Sequence, residues 1–249
     1  VAAKKIHIGT SGWSYKDWKG LYYPEKLKAT EWLTFYAKQF DITEINTSFY
    51  HLPKPQTVIN WAEKVPKKFR FCPKLSRYIT HMKKLLEPEE PLQRFFDVFD
   101  NIKDRLGPVL VQLPHMVKFD PERTEHFFNI LKTAYSDYDF VLEFRHDTWL
   151  QDDALRLMER YNIGLVISQS GVGFPYSEII TSKNIYVRFH GPAKLYASPY
   201  TDEMLQGFAK KFKKWIKDGH TIWVFFNNDW HGYAINNAEK LKELMEEGG

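Results

Sequence analysis

A single cysteine, Cys72, stands among the 249 residues. That excludes an internal disulfide and a cysteine-built zinc site, and it fits a reducing compartment. No apolar run approaches the ~18 residues of a membrane span, and residues 1–5 are too short and polar for a signal peptide. A cytoplasmic protein without membrane contact is expected. No Ser-rich or Gly-rich linker divides the chain, and 13 Gly and 13 Pro exclude a collagen-like composition. Charge of one sign is barely in excess: 35 Lys and Arg against 31 Asp and Glu give a net +4. Such a balance permits an anionic ligand without demanding nucleic acid. No GxGxxG or P-loop pattern occurs, so Gly9 and Gly12 in Gly9-Thr10-Ser11-Gly12-Trp13 are a weak phosphate signal.

What the sequence does have is an apolar and aromatic supply, 43% and 16% of residues, ample for one large core. Eight short β-rich runs are read at residues 6–9, 42–48, 69–74, 109–113, 140–145, 164–168, 185–190 and 221–227. Amphipathic stretches lie between them at 30–40, 55–64, 89–105, 121–135, 151–161, 202–217 and 234–246. Asp120-Pro121-Glu122 reads as a cap, a first-turn proline and an acidic first turn. Residues 169–184 leave little room for a helix, so the crossover between strands six and seven is expected to be irregular or shortened. Alternation from end to end predicts one α/β domain over 1–249, a (βα)8 TIM barrel rather than an open sheet. In the seventh helix Met204, Leu205, Phe208, Phe212, Trp215 and Ile216 mark the buried face. Lys210, Lys211, Lys213, Lys214 and Lys217 then form a solvated face rather than a phosphate-binding run.

In such barrels reactive groups sit at the C-terminal strand ends, and strand alternation selects the inward residues. Glu143 and Arg145 on strand five, Arg188 and His190 on strand seven, and Glu44, Asn46 and Ser48 on strand two are expected to face inward. So are Cys72 and Lys74 on strand three, Gln112 on strand four and Asn227 on strand eight. Burying such groups without partners costs several kcal/mol, so a cluster of them reads as a site. Structural ion pairs of Glu143 with Arg145, or of Glu44 with Lys74 or Arg188, are the bland alternative for any one residue. Lys74, Arg145 and Arg188 suit an oxyanion. Glu143, Glu44 and His190 are candidate acid/base groups, a carboxylate being expected to have its pKa raised by desolvation. Asn46, Gln112, Asn227, Tyr50 and Trp13 are candidates for holding the ligand. His190, His146, His81, His115 and His51 fall in no HxH or HExxH spacing. The three cations oppose a metal's charge, so no cofactor is expected and a divalent metal is disfavoured. Aromatics after the strand ends, among them Trp13, Tyr15, Trp18, Phe49, Tyr50, Trp149, Tyr196, Tyr200 and Trp230, either stack on a ligand or pack the loops.

The motifs in order resemble the YecE-like family, also called domain of unknown function 72, over nearly the whole chain. They are Ile8-Gly9-Thr10-Ser11-Gly12-Trp13 with Trp18 and Tyr22-Tyr23-Pro24, and Glu44-Ile45-Asn46-Thr47-Ser48-Phe49-Tyr50. Then come Phe69-Arg70-Phe71 with Lys74 and Thr80-His81, Gln112-Leu113-Pro114, and Glu143-Phe144-Arg145-His146 with Trp149. Tyr186-Val187-Arg188-Phe189-His190-Gly191 and Phe226-Asn227-Asn228 complete the set. The resemblance implies a TIM barrel and brings no established activity. The family's barrel is similar to those of endonuclease IV and related sugar isomerases, but this mouth lacks the carboxylate and histidine set of a trinuclear zinc site. The expectation is an enzyme, a hydrolase, isomerase or lyase, acting on a small phosphate- or carboxylate-bearing molecule. Nucleic-acid or phosphodiester binding and a non-catalytic ligand-binding barrel are the alternatives.

Overall fold

In the computed structural model, which describes residues 4–171 and 173–247, the β-rich runs form eight strands. They are β1 (Ile6–Thr10), β2 (Ile42–Ile45), β3 (Arg70–Pro73), β4 (Val109–Gln112), β5 (Phe140–Glu143), β6 (Gly164–Gln169), β7 (Asn184–Phe189) and β8 (Thr221–Phe226). Paired neighbours run parallel in the order β3-β2-β1-β8-β7-β6-β5-β4. The circle is completed by single parallel bridges, Phe71 to Leu106 and Lys74 to Leu110, with Leu75 N–H donating to Leu110 C=O at 2.9 Å. Gly107 sits at this seam, where a Cβ would come 2.6 Å from Cys72 Sγ and 2.7 Å from the Trp223 ring. The result is a single (βα)8 TIM barrel.

Helices follow the strands: α1 (Trp32–Tyr36) after β1, α2 (Thr47–Tyr50) and α3 (Pro55–Glu63) after β2, and α4 (Glu89–Phe99) after β3. Next are α5 (Pro121–Ala134), α6 (Asp152–Tyr161), α7 (Asp202–Lys217) and α8 (Tyr233–Glu246), after β4, β5, β7 and β8. Among the described residues no helix lies between β6 and β7. There Thr181 Oγ1 accepts from Leu165 N–H at 2.8 Å and donates to Ile163 C=O at 2.7 Å, pinning the short crossover to the start of β6. The Asp120 carboxylate caps α5 by accepting from Arg123 N–H at 2.9 Å, with Pro121 at the first helical position.

Several boundaries differ from the sequence reading. The stretch 89–105 is α4 followed by a 3-10 segment over Asp100–Arg105, within which Ile102 leaves helical geometry at φ −133°. The stretch 30–40 shortens to α1 preceded by a 3-10 turn, Ala29–Glu31. β2 stops at Ile45, since Asn46 adopts φ −84°, ψ −17° and opens α2. Ser48 is therefore on a helix and not an inward strand position; its hydroxyl is spent on the carbonyls of Ile45 and Lys74 at 2.9 and 2.7 Å. On α7 the buried seam runs Leu205, Ala209, Phe212, Trp215, which leaves Met204 one position off it and exposed. Lys210, Lys211, Lys214 and Lys217 are exposed, as the periodicity requires.

Two apolar regions result. The larger lies between sheet and helices and includes Ile8, Leu142, Val187, Phe189 and Val224. The smaller fills the barrel with Ile42, Cys72, Leu110, Val141, Val166, Tyr186, Trp223 and Phe225. His7 stacks on Trp223 at 4.3 Å between centroids near the strand starts. The interior is thus packed at its middle, and what its C-terminal end holds is polar.

Candidate functional site

Each polar residue of the mouth is placed by strand alternation. Val141 and Tyr186 belong to the barrel interior, so Glu143 on β5 and Arg188 on β7, two residues further along, share that inward face. Register then sets neighbours: Gln112 lies beside Glu143, Ser168 beside Arg188, and Glu44 beside Cys72.

Arg188 bridges two carboxylates. Its Nε and Nη2 donate to Glu44 Oε1 and Oε2 at 2.8 and 2.9 Å, a two-point grip, while Nη1 donates to Glu143 Oε2 at 2.6 Å. Tyr186 Oη donates to Glu44 Oε1 at 2.9 Å and Ser168 Oγ to Glu143 Oε1 at 3.2 Å. Arg145 also pairs with Glu143 and lies over the Phe174 ring, 3.7 Å from its centroid. Glu44, Glu143 and Arg188 are all buried. Burial alone would raise the Glu143 carboxyl, but the charges of Arg145 and Arg188 outweigh it and hold the group well below the usual carboxylate range. The raised carboxylate expected from desolvation is therefore not found at Glu143, because two guanidiniums arrive with it. The Glu44–Lys74 pairing is not found either; the partner of Glu44 is Arg188, which meets both its oxygens.

His190 is fully buried just past β7. Asn227 Nδ2 lies 3.1 Å from its Nδ1, so with the amide as donor the ring proton sits on Nε2. Nε2 is 3.3 Å from Glu143 Oε1 but out of line for a hydrogen bond. Burial lowers the imidazole to about 4, with Glu143 opposing and Arg188 adding to the shift. The ring is thus neutral at pH 7.

Above this layer opens a chamber of about 300 Å³ lined by Asn46, Tyr50, Lys74, Gln112, Arg145, Arg188, Tyr196, Asn227 and Asp229. Seven of the sequence candidates therefore meet around one space. Lys74 differs from the arginines: it makes no ion pair among the described residues, and its Nζ lies 3.9 Å from the centroid of the Phe49 ring. Burial lowers the ammonium to about 7, Arg188 adding to the shift while Glu143 and Glu44 oppose it. Burial likewise raises the Asp229 carboxyl above its ordinary value. Trp13 is not in this chamber. It stands edge-on to Trp61 at 5.3 Å, on an adjoining pocket. Of the other aromatics, Trp18, Trp149, Tyr200 and Phe49 are buried as loop packing, whereas Tyr50, Tyr196 and Trp230 are exposed.

Tyr186, Ser168 and Phe174 were not among the candidates. Tyr186 shares the two-residue period of Arg188 and His190, so the same alternation signals it; Ser168 follows from the pairing of β6 with β7, and Phe174, on an irregular crossover, carries no periodic signal. Among the described residues no three His, Cys, Asp or Glu side chains gather in a way that could hold a metal ion. None of the described helices is long and apolar enough to cross a membrane.

Fold and mouth define the chain as a TIM-barrel protein with a buried Glu–Arg–Glu bridge beneath a polar chamber. The profile of the family described as Protein of unknown function DUF72 matches residues 7–249, and the chain belongs to that family. The chain is similar to UPF0759 protein YunF of Bacillus subtilis, 25% identical over 97% of this chain and 95% of YunF. It is 30% identical to UPF0759 protein YecE of Escherichia coli over 141 residues, 57% of this chain and 48% of YecE. The matched part thus spans about half the length of YecE. A DUF72 family crystal structure from Thermotoga maritima superposes with a TM-score of 0.85 at 29% identity, covering 97% of this chain and 99% of that one. Another from Enterococcus faecalis gives 0.82 at 21% identity, with 98% and 96% covered.

Proposed function

We propose that the protein is an enzyme that binds a small phosphate- or carboxylate-bearing molecule in the chamber at the barrel mouth and performs acid/base chemistry on it. The observation that carries this reading is Lys74. Arg188 spends three of its five N–H groups on Glu44 and Glu143, and Arg145 spends part of its fork on Glu143. Lys74 brings a positive charge that no carboxylate of the described residues pairs, into a chamber that both arginines also line. An oxyanion there completes the charge balance, with the free N–H groups of Arg145 and Arg188 as further donors. Asn46, Gln112, Asn227 and Tyr50 line the same space and orient the ligand.

The proton-transfer roles follow the titration behaviour. Glu143 stays ionised and acts through its field, fixing Arg188 and Arg145. Lys74, near 7, exchanges a proton at neutral pH, and Asp229, whose carboxyl burial raises, lines the same chamber as a second proton carrier. Glu44 and His190 hold position and polarity around them. Hydrolysis, isomerisation and elimination are all served by such a pair. Calorimetric titration with inorganic phosphate tests the anion site: wild type is expected to bind, and Lys74→Met to bind at least tenfold more weakly. Equal affinity in the two proteins, or no binding by wild type at millimolar phosphate, would overturn the reading.

A further inference from the structure

A second pocket, of about 480 Å³, adjoins the chamber, and Asn46 lines both. Its walls include Trp13, Tyr15, Trp61 and Leu33, with Ser11 and Asn46 at the strand ends. Two buried polar atoms among these residues lack a hydrogen-bond partner, Ser11 Oγ and Asn46 Oδ1, and Ser11 is 1% exposed. The Ser11 backbone is fully engaged: its N–H donates to Phe226 C=O at 2.9 Å, and its carbonyl accepts from Tyr15 Oη at 2.6 Å and Asn46 Nδ2 at 3.0 Å. The residue is held in place while its hydroxyl is left unused. Buried polar groups are rarely left unmet unless something else meets them. Broad aromatic walls suit a flat ring, and an unmet amide oxygen and an unmet hydroxyl among the lining residues suit a ring whose edge carries N–H donors. An alkyl chain would leave both polar atoms unmet.

We propose that this pocket takes the heteroaromatic base of a nucleoside 5′-monophosphate whose phosphate lies against Lys74. The inference rests on the anion-binding reading and narrows its substrate class. Asn46 stands where base and phosphate portions join, and the two volumes together exceed what a bare phosphate or small acid needs. A free nucleotide and the 5′ end of a single strand share this chemistry, and the experiment separates them.

The test compares inorganic phosphate, ribose 5-phosphate, adenosine 5′-monophosphate and a 5′-phosphorylated tetranucleotide by calorimetry on three proteins: wild type, Ser11→Ala and Ala29→Trp. Ala29 is an exposed residue at the rim of the pocket, so its replacement by a ring blocks the pocket without disturbing the core. In wild type the monophosphate is expected to bind at least tenfold more tightly than ribose 5-phosphate. Ser11→Ala should reduce that advantage three- to tenfold, the loss of one hydrogen bond, and Ala29→Trp should abolish it, with phosphate affinity unchanged in both. Tetranucleotide affinity equal to or above that of the monophosphate would identify a strand end as the source; weaker affinity would identify the free nucleotide. Phosphate binding without a base advantage, or an advantage that survives Ala29→Trp, overturns the base pocket and leaves the anion site standing. Failure of every anion to bind overturns both.

Discussion

Arg188 has the largest share in the charge balance of the mouth, because it is the common partner of Glu44 and Glu143. Its removal leaves two buried carboxylates facing each other with Arg145 as the remaining strong partner. Arg188→Met is expected to destabilise the protein by about 3–5 kcal/mol in urea unfolding at pH 7, the usual result of breaking a buried pair from one side. A loss under about 1 kcal/mol would mean that the carboxylates are relieved by water. His190 supplies a pH signature. Its folded pKa of about 4 lies below the ordinary 6.5, so the unfolded chain takes up a proton before the folded one does. The stability it contributes is complete above pH 6.5 and is lost as pH falls towards 4, by about 3 kcal/mol over that window. NMR titration should place the imidazole midpoint near 4, and His190→Gln should flatten the decline; a midpoint above 6 removes the argument. The depressed Glu143 adds its own loss below the ordinary carboxylate range, with the same sign. Lys74 predicts the opposite course for ligand binding. Sulfate keeps its charge between pH 6 and 9 while the Lys74 ammonium, at about 7, does not. Sulfate affinity should therefore fall by up to tenfold per pH unit above 7, and flat affinity across that range would show that Lys74 stays charged.

Away from the β3–β4 seam, β1 and β2 have the sparsest pairing, with Thr10 opposite Thr43 as the register contact. The Tyr36 hydroxyl of α1 repairs this gap, accepting from Thr10 N–H and donating to Ile42 C=O, each at 2.9 Å. Gly9 makes room for the arrangement: a Cβ there would lie 2.3 Å from the Ile42 carbonyl oxygen and 2.9 Å from Tyr36 Oη. The glycine that opens the Gly9-Thr10-Ser11-Gly12 motif is thus explained by packing rather than by phosphate. Tyr36→Phe should leave two buried backbone groups unpaired and cost about 1–3 kcal/mol, measured by urea unfolding. Protection of the β1 amides from hydrogen exchange should drop with it, whereas unchanged protection would show the strands holding each other without the hydroxyl. All eight strands and most helices were legible from the period of their apolar residues, and some from a marked start, as Asp120-Pro121 shows for α5. Boundaries were missed where the backbone turns within a run that reads as a strand or where helical geometry breaks inside an amphipathic stretch. Asn46 turning β2 into α2 is the first kind, and Ile102 the second.

For the molecule as a whole, period-two alternation was enough to bring Glu44, Glu143, Lys74, Arg145, Arg188, Gln112 and Asn227 to one barrel end, since inward direction is a local property of a strand. Which cation meets which carboxylate was not legible, because it depends on strand tilt and register around a closed circle. Nor was the direction of the Glu143 shift, which follows from that pairing. The resulting Glu–Arg–Glu bridge raises a question of economy. Desolvating three charges in a barrel otherwise filled by Ile42, Leu110, Val141 and Phe225 is costly, and apolar side chains of like volume commonly do as well or better by about 1–4 kcal/mol. If the bridge exists to position Lys74 and Arg145 for a ligand, it should be dispensable for folding. Replacing it as a unit, with Glu44→Met, Glu143→Leu, Arg188→Met, Arg145→Met and Tyr186→Phe, leaves no charge of the bridge unpaired. The variant is expected to unfold at a urea midpoint no lower than that of wild type, with native far-UV circular dichroism, and to bind no phosphate. A variant that fails to fold would make the bridge part of what closes the barrel, and phosphate binding that survives would separate the anion site from the bridge beneath it.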